Sequence, residues 1–196
     1  SELGLQRAGF YMALVHYPVL NRKGEVIASA LTNLDLHDLA RAARTYDVPV
    51  CYIVTPLNDQ QALAGRLIRH WCEGIGKTLL PNRAEALERL RVVEHVGDAV
   101  LEIEREWGKS PTVWATSARE QEAALSHEAA RRILERSETP HLLLLGTGWG
   151  LAPGALGRAD ALLDPIRGVD GYNHLSVRCA AAILLDRLLG NRGGDR

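Results

Sequence analysis

The chain has 196 residues, 46% of them hydrophobic, enough for a substantial buried core and within the size range of one domain. Lys and Arg number 23 against 24 Asp and Glu, a formal net charge of −1, which excludes the broad basic excess of an autonomous nucleic-acid binder and confines any RNA contact to a local patch. No apolar run approaches the roughly 18 residues of a membrane helix, and the leading SELGLQRAGF lacks the basic and apolar regions of a secretory signal. A soluble, cytoplasmic protein without membrane contact is the expectation.

In chain order, residues 11–19 (YMALVHYPV) read as a first strand with Pro18 at or beyond its end. Residues 21–24 form a polar turn. Leu36, Leu39, Ala40 and Ala43 follow the helical i, i+3, i+4, i+7 spacing, and residues 50–54 make a continuous apolar run suited to a parallel strand covered on both sides. Leu63, Leu67 and Trp71 mark a helix of about fifteen residues ending near Gly74 and Gly76. Asn82 is placed to cap a shorter helix, with Glu85 at the capping-box position. Residues 92–96 predict a third strand and residues 98–107 a helix with Val100, Ile103 and Trp107 on one side. Residues 111–115 form strand four, and Ser126 or a neighbour caps a helix with Ala130, Ile133 and Leu134 inward.

Residues 141–145 predict a short buried strand ending abruptly in Gly146-Thr147-Gly148-Trp149-Gly150, where missing side chains let backbone approach a ligand. A strand over residues 161–164 runs into a second loop, Pro165 to His174. The last helix spans residues 174–189, with Asn173 as N-cap, Gly190 at the position of a left-handed stop, and few polar residues, so burial nearly all round is expected. Strands alternating with helices predict an α/β fold, a mostly parallel sheet covered by helices on both faces. Ligands of such sheets sit beyond the carboxyl ends of the strands, where Thr116 to Arg119, Gly146 to Leu151 and Asp164 to His174 all emerge.

The glycine run fails the dinucleotide fingerprint, because Leu151 stands where the third glycine belongs, and it lacks the Lys-Ser/Thr of a phosphate-binding loop. Seven histidines form no H-x-x-H or H-E-x-x-H pair, so no metal is expected, and no G-x-S-x-G elbow is present. Cys51, Cys72 and Cys179 are far apart and read as small buried residues. Most arginines lie beside glutamates, as in Glu88-Arg89 and Glu104-Arg105-Glu106, a pattern of solvated helix faces.

The order strand, GTGWGL, strand, PIRG, GYNHLSVR, helix resembles the SPOUT class of RNA methyltransferases, in particular a bacterial branch related to the tRNA guanine-N1 methyltransferases. The resemblance implies one SPOUT-like domain over residues 1–196, flexible at 1–10 and 191–196, with a C-terminal trefoil knot. It implies S-adenosylmethionine as cofactor, S-adenosylhomocysteine as product, RNA (tRNA) as partner, and a homodimer that completes the RNA site. Cofactor contacts would come from Thr116, Leu145, Gly146, Thr147, Gly148, Trp149, Gly150, Leu151, Ile166, Gly168, Tyr172, Asn173, Leu175 and Ser176, with Leu151, Ile166 and Leu175 sandwiching the adenine. Asp170 sits where the guanine-N1 enzymes place an acidic base, and equally where a turn-forming Asp precedes Gly. Thr116-Ser117-Ala118-Arg119 resembles a segment of ribose-methylating enzymes. Arg119 is thus a phosphate contact beside the target nucleotide or a surface arginine paired with Glu120 or Glu122. His174 has a structural or a ligand role, and Asn173 and Ser176 have capping explanations. Base methylation is the leading expectation; ribose 2′-O-methylation and a non-catalytic adenosyl-ligand or RNA-binding regulator are the alternatives.

Overall fold

A computed structural model describes residues 9–117 and 123–192; Arg119 lies outside the described residues. Six strands form one all-parallel sheet in the order β5-β4-β1-β7-β6-β8: β1 (Phe10–Val15), β4 (Cys51–Val54), β5 (Leu90–Val93), β6 (Thr112–Thr116), β7 (His141–Gly146) and β8 (Ala161–Leu163). β2 (Val19–Leu20) and β3 (Val26–Ile27) make a separate hairpin, which local periodicity does not reveal because each strand is two residues long. Phe10 begins β1 and is buried, so the expected flexible start does not reach it.

β1 and β7 are central, and their buried positions are hydrophobic apart from His141; Phe10 stands opposite His141 and Val15 opposite Gly146. Alternation along β1 divides the core. Met12 and Leu14 pack toward one face with residues of α1 (Asn33–Thr45), α2 (Asn58–Cys72), α4 (Pro81–Leu87), α6 (His127–Arg136) and α8 (Val177–Leu189). Tyr11, Ala13 and Val15 pack toward the other, with α5 (Val96–Trp107) and the single turn α7 (Pro153–Leu156). Each leucine so buried contributes roughly 1.5–3 kcal/mol. The predicted Leu36, Leu39, Ala40 and Ala43 are the four buried residues of α1.

Several boundaries differ from expectation for local reasons. α4 starts at Pro81, whose fixed φ suits the first helical position, so Asn82 lies inside the helix and Leu80 precedes it. A five-residue helix, α3 (Ile75–Leu79), fills the stretch between α2 and α4. Ile133 of α6 is 41% exposed, whereas Ala130 and Leu134 are buried. α8 begins at Val177, because the Ser176 hydroxyl accepts the Cys179 N–H at 3.3 Å, and Asn173 stays in the loop before it. Only Ala181, Leu184, Leu185 and Leu188 of α8 are buried, while Cys179, Ala182 and Asp186 face outward. Gly190 has φ −63°, not a left-handed value; its missing side chain is required instead by the Asp186 carbonyl, 2.5 Å from where a Cβ would stand.

The chain leading into α6 lies along the outer edge of β8. Leu125 N–H donates to Leu162 O at 2.7 Å, and Asp164 N–H donates to Leu125 O at 2.8 Å. β8 is thereby enclosed between β6 and Leu125, and the segment that continues to α8 leaves from inside that bracket.

Candidate functional site

The glycine loop after β7 is braced on the hairpin. Trp149 N–H donates to Leu20 O at 2.9 Å, Leu20 N–H to Gly150 O at 2.9 Å, and Ala152 N–H to Pro18 O at 3.0 Å. The Thr147 hydroxyl donates to Val15 O at 3.1 Å and touches the Ser29 hydroxyl, tying the loop to the end of β1. Glycine is needed at three positions, two for their positive φ and one for lack of room. Gly148 has φ +60°, and a Cβ there would sit 2.9 Å from Leu20 O; Gly146 lacks room because Leu151 N lies 2.8 Å from its Cβ position. Gly150 has φ +103° with no atom within 4 Å of its Cβ position, so this side of the loop is open.

The loop after β8 is anchored at its start. Arg187 donates to His127 Nδ1 at 3.0 Å, which leaves Nε2 to carry the proton and donate to Asp164 O at 2.7 Å. Arg167 reaches Asp164 at 3.6 Å, and Pro165 is buried. Beyond it the loop opens to solvent: Gly168, Val169, Asp170, Gly171 and Tyr172 are exposed, and Asn173 is half-buried. Asp170 Oδ1 accepts the Tyr172 N–H at 3.0 Å, so its carboxylate also shapes the local turn.

Three rings join the two loops. His174 meets Trp149 edge to face at 6.2 Å between centroids and Tyr172 at 5.0 Å. Trp149 is 56% and Tyr172 73% exposed, so these rings present faces outward rather than lining a closed pocket. Thr116 ends β6 half-buried, its hydroxyl donating to Leu144 O at 3.2 Å. Leu145 and Ile166 belong to the packing on the α8 side of the sheet, whereas Leu151 is buried on the α5 side and Leu175 is exposed. The three residues expected to sandwich an adenine therefore do not share one apolar cluster.

Two features escape a sequence reading. His16, one residue past β1, is wholly buried and neither ring nitrogen has a hydrogen-bond partner among the described residues. Burial, its dominant influence, pushes it down to about 4, so the imidazole is neutral at ordinary pH. A polar residue closing an apolar strand was the available signal. Arg178, the second residue of α8, reaches Asp35 at 3.6 Å and Asp38 at 3.5 Å, joining the end of the second loop to the first turns of α1. No group of three His, Cys, Asp or Glu suited to a metal occurs among the described residues, and no helix there is long and apolar enough to cross a membrane.

Comparison with known proteins follows the same lines. A family model described as SAM-dependent RNA methyltransferase matches residues 9–190. A tRNA (guanine-N(1)-)-methyltransferase of Oleidesulfovibrio alaskensis is 50% identical over 181 residues, 92% of this chain and 42% of that protein; its counterpart in Nitratidesulfovibrio vulgaris is 49% identical over the same shares. The chain spans less than half the length of these two relatives. An uncharacterized protein of Aquifex aeolicus is 35% identical over 185 residues, 94% of this chain and 90% of that one. Among solved structures, a methylase family protein of Neisseria gonorrhoeae aligns with a TM-score of 0.66 at 14% identity, over 98% of this chain and 86% of that one. The TrmH/SpoU tRNA modifying enzyme of Aquifex aeolicus gives 0.57 at 14%, over 94% and 75%. At such identities these two share the fold.

Proposed function

This chain belongs to the family of S-adenosylmethionine-dependent RNA methyltransferases, and from that premise we propose that it transfers a methyl group from S-adenosylmethionine to a base nitrogen of tRNA, guanine N1 in particular. The observation that carries the reading is the braced glycine loop: Gly148 and Gly150 hold positive φ, and the loop's open side at Gly150 faces no protein atom. The names of the two relatives at about half identity support the choice of substrate.

The residues fit such a cofactor. Backbone of residues 146–151 offers close approach, Thr116, Leu145 and Ile166 line the α8 side of the sheet edge, and His16 holds two unused ring nitrogens at the end of the central strand. Gly168, Asn173 and Ser176 frame the far loop. The cofactor, when bound, supplies a methyl group on a positively charged sulfur that is already a good leaving group. The protein's part is then positioning and removal of one proton. Trp149 and Tyr172, joined through His174, offer ring faces to the cofactor, Asp170 accepts the proton from guanine N1, and Arg119 holds the adjoining phosphate. The bracketing of β8 by Leu125 supports a threaded, knotted C-terminus, and the outward side of α8 supports a homodimer.

The test is transfer of labelled methyl from S-adenosylmethionine to unfractionated tRNA, followed by nucleoside analysis. 1-Methylguanosine is expected. A 2′-O-methyl product would replace base methylation with ribose methylation, and binding of cofactor and tRNA without transfer would leave a regulatory module.

A further inference from the structure

On the solvent side of the α1–α2–α4 layer, two arginines border one cleft, neither with a carboxylate partner among the described residues. Arg41 of α1 and Arg83 of α4 line a cleft of about 240 Å³ with Leu80, Pro81 and Asn82. The nearby carboxylates are taken by other cations: Glu85 by Arg44 at 2.5 Å, Glu88 by Lys77 at 3.8 Å, and Asp35 and Asp38 by Arg178. Neither Arg41 nor Arg83 has a carboxylate partner among the described residues.

Arg83 is held in place by an aromatic ring. Arg83 lies over Trp71, 5.4 Å from its ring centroid, and Trp71 in turn meets the edge of His37 at 5.6 Å. His37 lies one helical turn from Arg41, and its Nδ1 is buried without a partner. Burial first, and then the charge of Arg83, push its pKa down, with Arg41 acting in the same direction. Two guanidiniums without a carboxylate partner among the described residues, one of them laid on Trp71, border a cleft with an amide and an apolar wall and suit a phosphate flanked by a sugar. Each guanidinium presents a planar fork that matches phosphate oxygens in pairs. The cleft also connects to the methyl-transfer loops: Arg178, just past them, grips Asp35 and Asp38, and Arg41 follows on the same helix.

We propose that the Arg41–Arg83 cleft docks the sugar–phosphate backbone of the RNA substrate, outside the loops that carry methyl transfer. It rests on the RNA methyltransferase reading and supplies the local basic patch that a net charge of −1 demands.

The test measures binding of labelled unfractionated tRNA and a labelled oligoadenylate to the full chain across ~50 to ~200 mM salt. The variants are Arg41→Gln/Arg83→Gln and Arg105→Gln, the latter removing an exposed charge from α5 on the opposite face of the sheet. Calorimetry with S-adenosylhomocysteine verifies that each variant keeps its cofactor site. The double variant should lose roughly tenfold in RNA affinity, and its slope of log affinity against log salt should fall by about 1.4 to 1.8, two phosphate contacts' worth. Arg105→Gln should change neither affinity nor slope. Unchanged RNA binding by the double variant, or an equal loss in Arg105→Gln, overturns the cleft while leaving methyl transfer standing. Wild-type protein that takes cofactor yet holds neither RNA overturns both readings together.

Discussion

His16 is neutral, buried and unpartnered at the end of β1, and that combination has a measurable cost in acid. Its pKa in the folded protein is lowered from 6.5 to about 4, so between those values the unfolded chain binds a proton that the folded chain refuses. Stability from this group is complete above pH 6.5 and is lost as pH falls toward 4, by about 3 kcal/mol. Urea unfolding of wild type and His16→Leu between pH 7.5 and pH 4 should show the variant losing about that much less; equal losses would mean that water reaches the ring. Asp170 offers a second single-residue test. Asparagine at this position can still accept the Tyr172 N–H through its amide oxygen, so Asp170→Asn preserves the turn and removes only proton acceptance. Turnover should fall by about 10²–10⁴-fold with cofactor affinity intact. Full activity would send the search for the base to the RNA or a partner subunit.

At the scale of elements, the glycine loop depends on the hairpin beneath it. Gly148→Val forces a β-branched residue to φ +60° and drives its Cβ to 2.9 Å from Leu20 O, so it should cost roughly 1–3 kcal/mol and break the hydrogen bonds that hold the loop. Gly65→Ala in α2, whose Cβ would meet only the flexible end of Arg69, serves as the control. Thermal unfolding and calorimetry with S-adenosylmethionine should separate the two, and normal cofactor binding by Gly148→Val would move the pocket elsewhere. The hairpin was not legible in the sequence, since two-residue strands carry no periodicity, whereas the four buried positions of α1 were plain from their spacing. Strand order was hidden for another reason: β1 pairs with β7 across some 130 residues, and local patterns do not encode partners so far apart. The site shows the same division. Composition marked the Gly146–Leu151 loop, but not the assignment of Leu151 to the α5 side, because the fate of a leucine just after a strand depends on which layer covers it.

For the whole molecule, the decisive surface runs from α8 to the open loops. The inner side of α8 is occupied by Ala181, Leu184, Leu185 and Leu188, while Cys179 and Ala182 point outward. Leu34 at the start of α1 is 64% exposed, Leu175 is 46% exposed, and Val169 is fully exposed. Exposed apolar residues are costly in water, and small residues on the outward side of a helix allow close approach of an identical surface about a two-fold axis. A stable interface of this kind buries on the order of 1,000 Å² or more. Light scattering at micromolar concentration should therefore give about twice the 21.5 kDa chain mass. Ala182→Glu places a charge in the centre of the surface and should return the mass to that of one chain. If the homodimer completes the RNA site, dissociation should also weaken RNA methylation more than cofactor binding. A wild-type mass of one chain would refute the dimer, and the exposed Val169 and Leu175 would then be left as contacts for RNA alone.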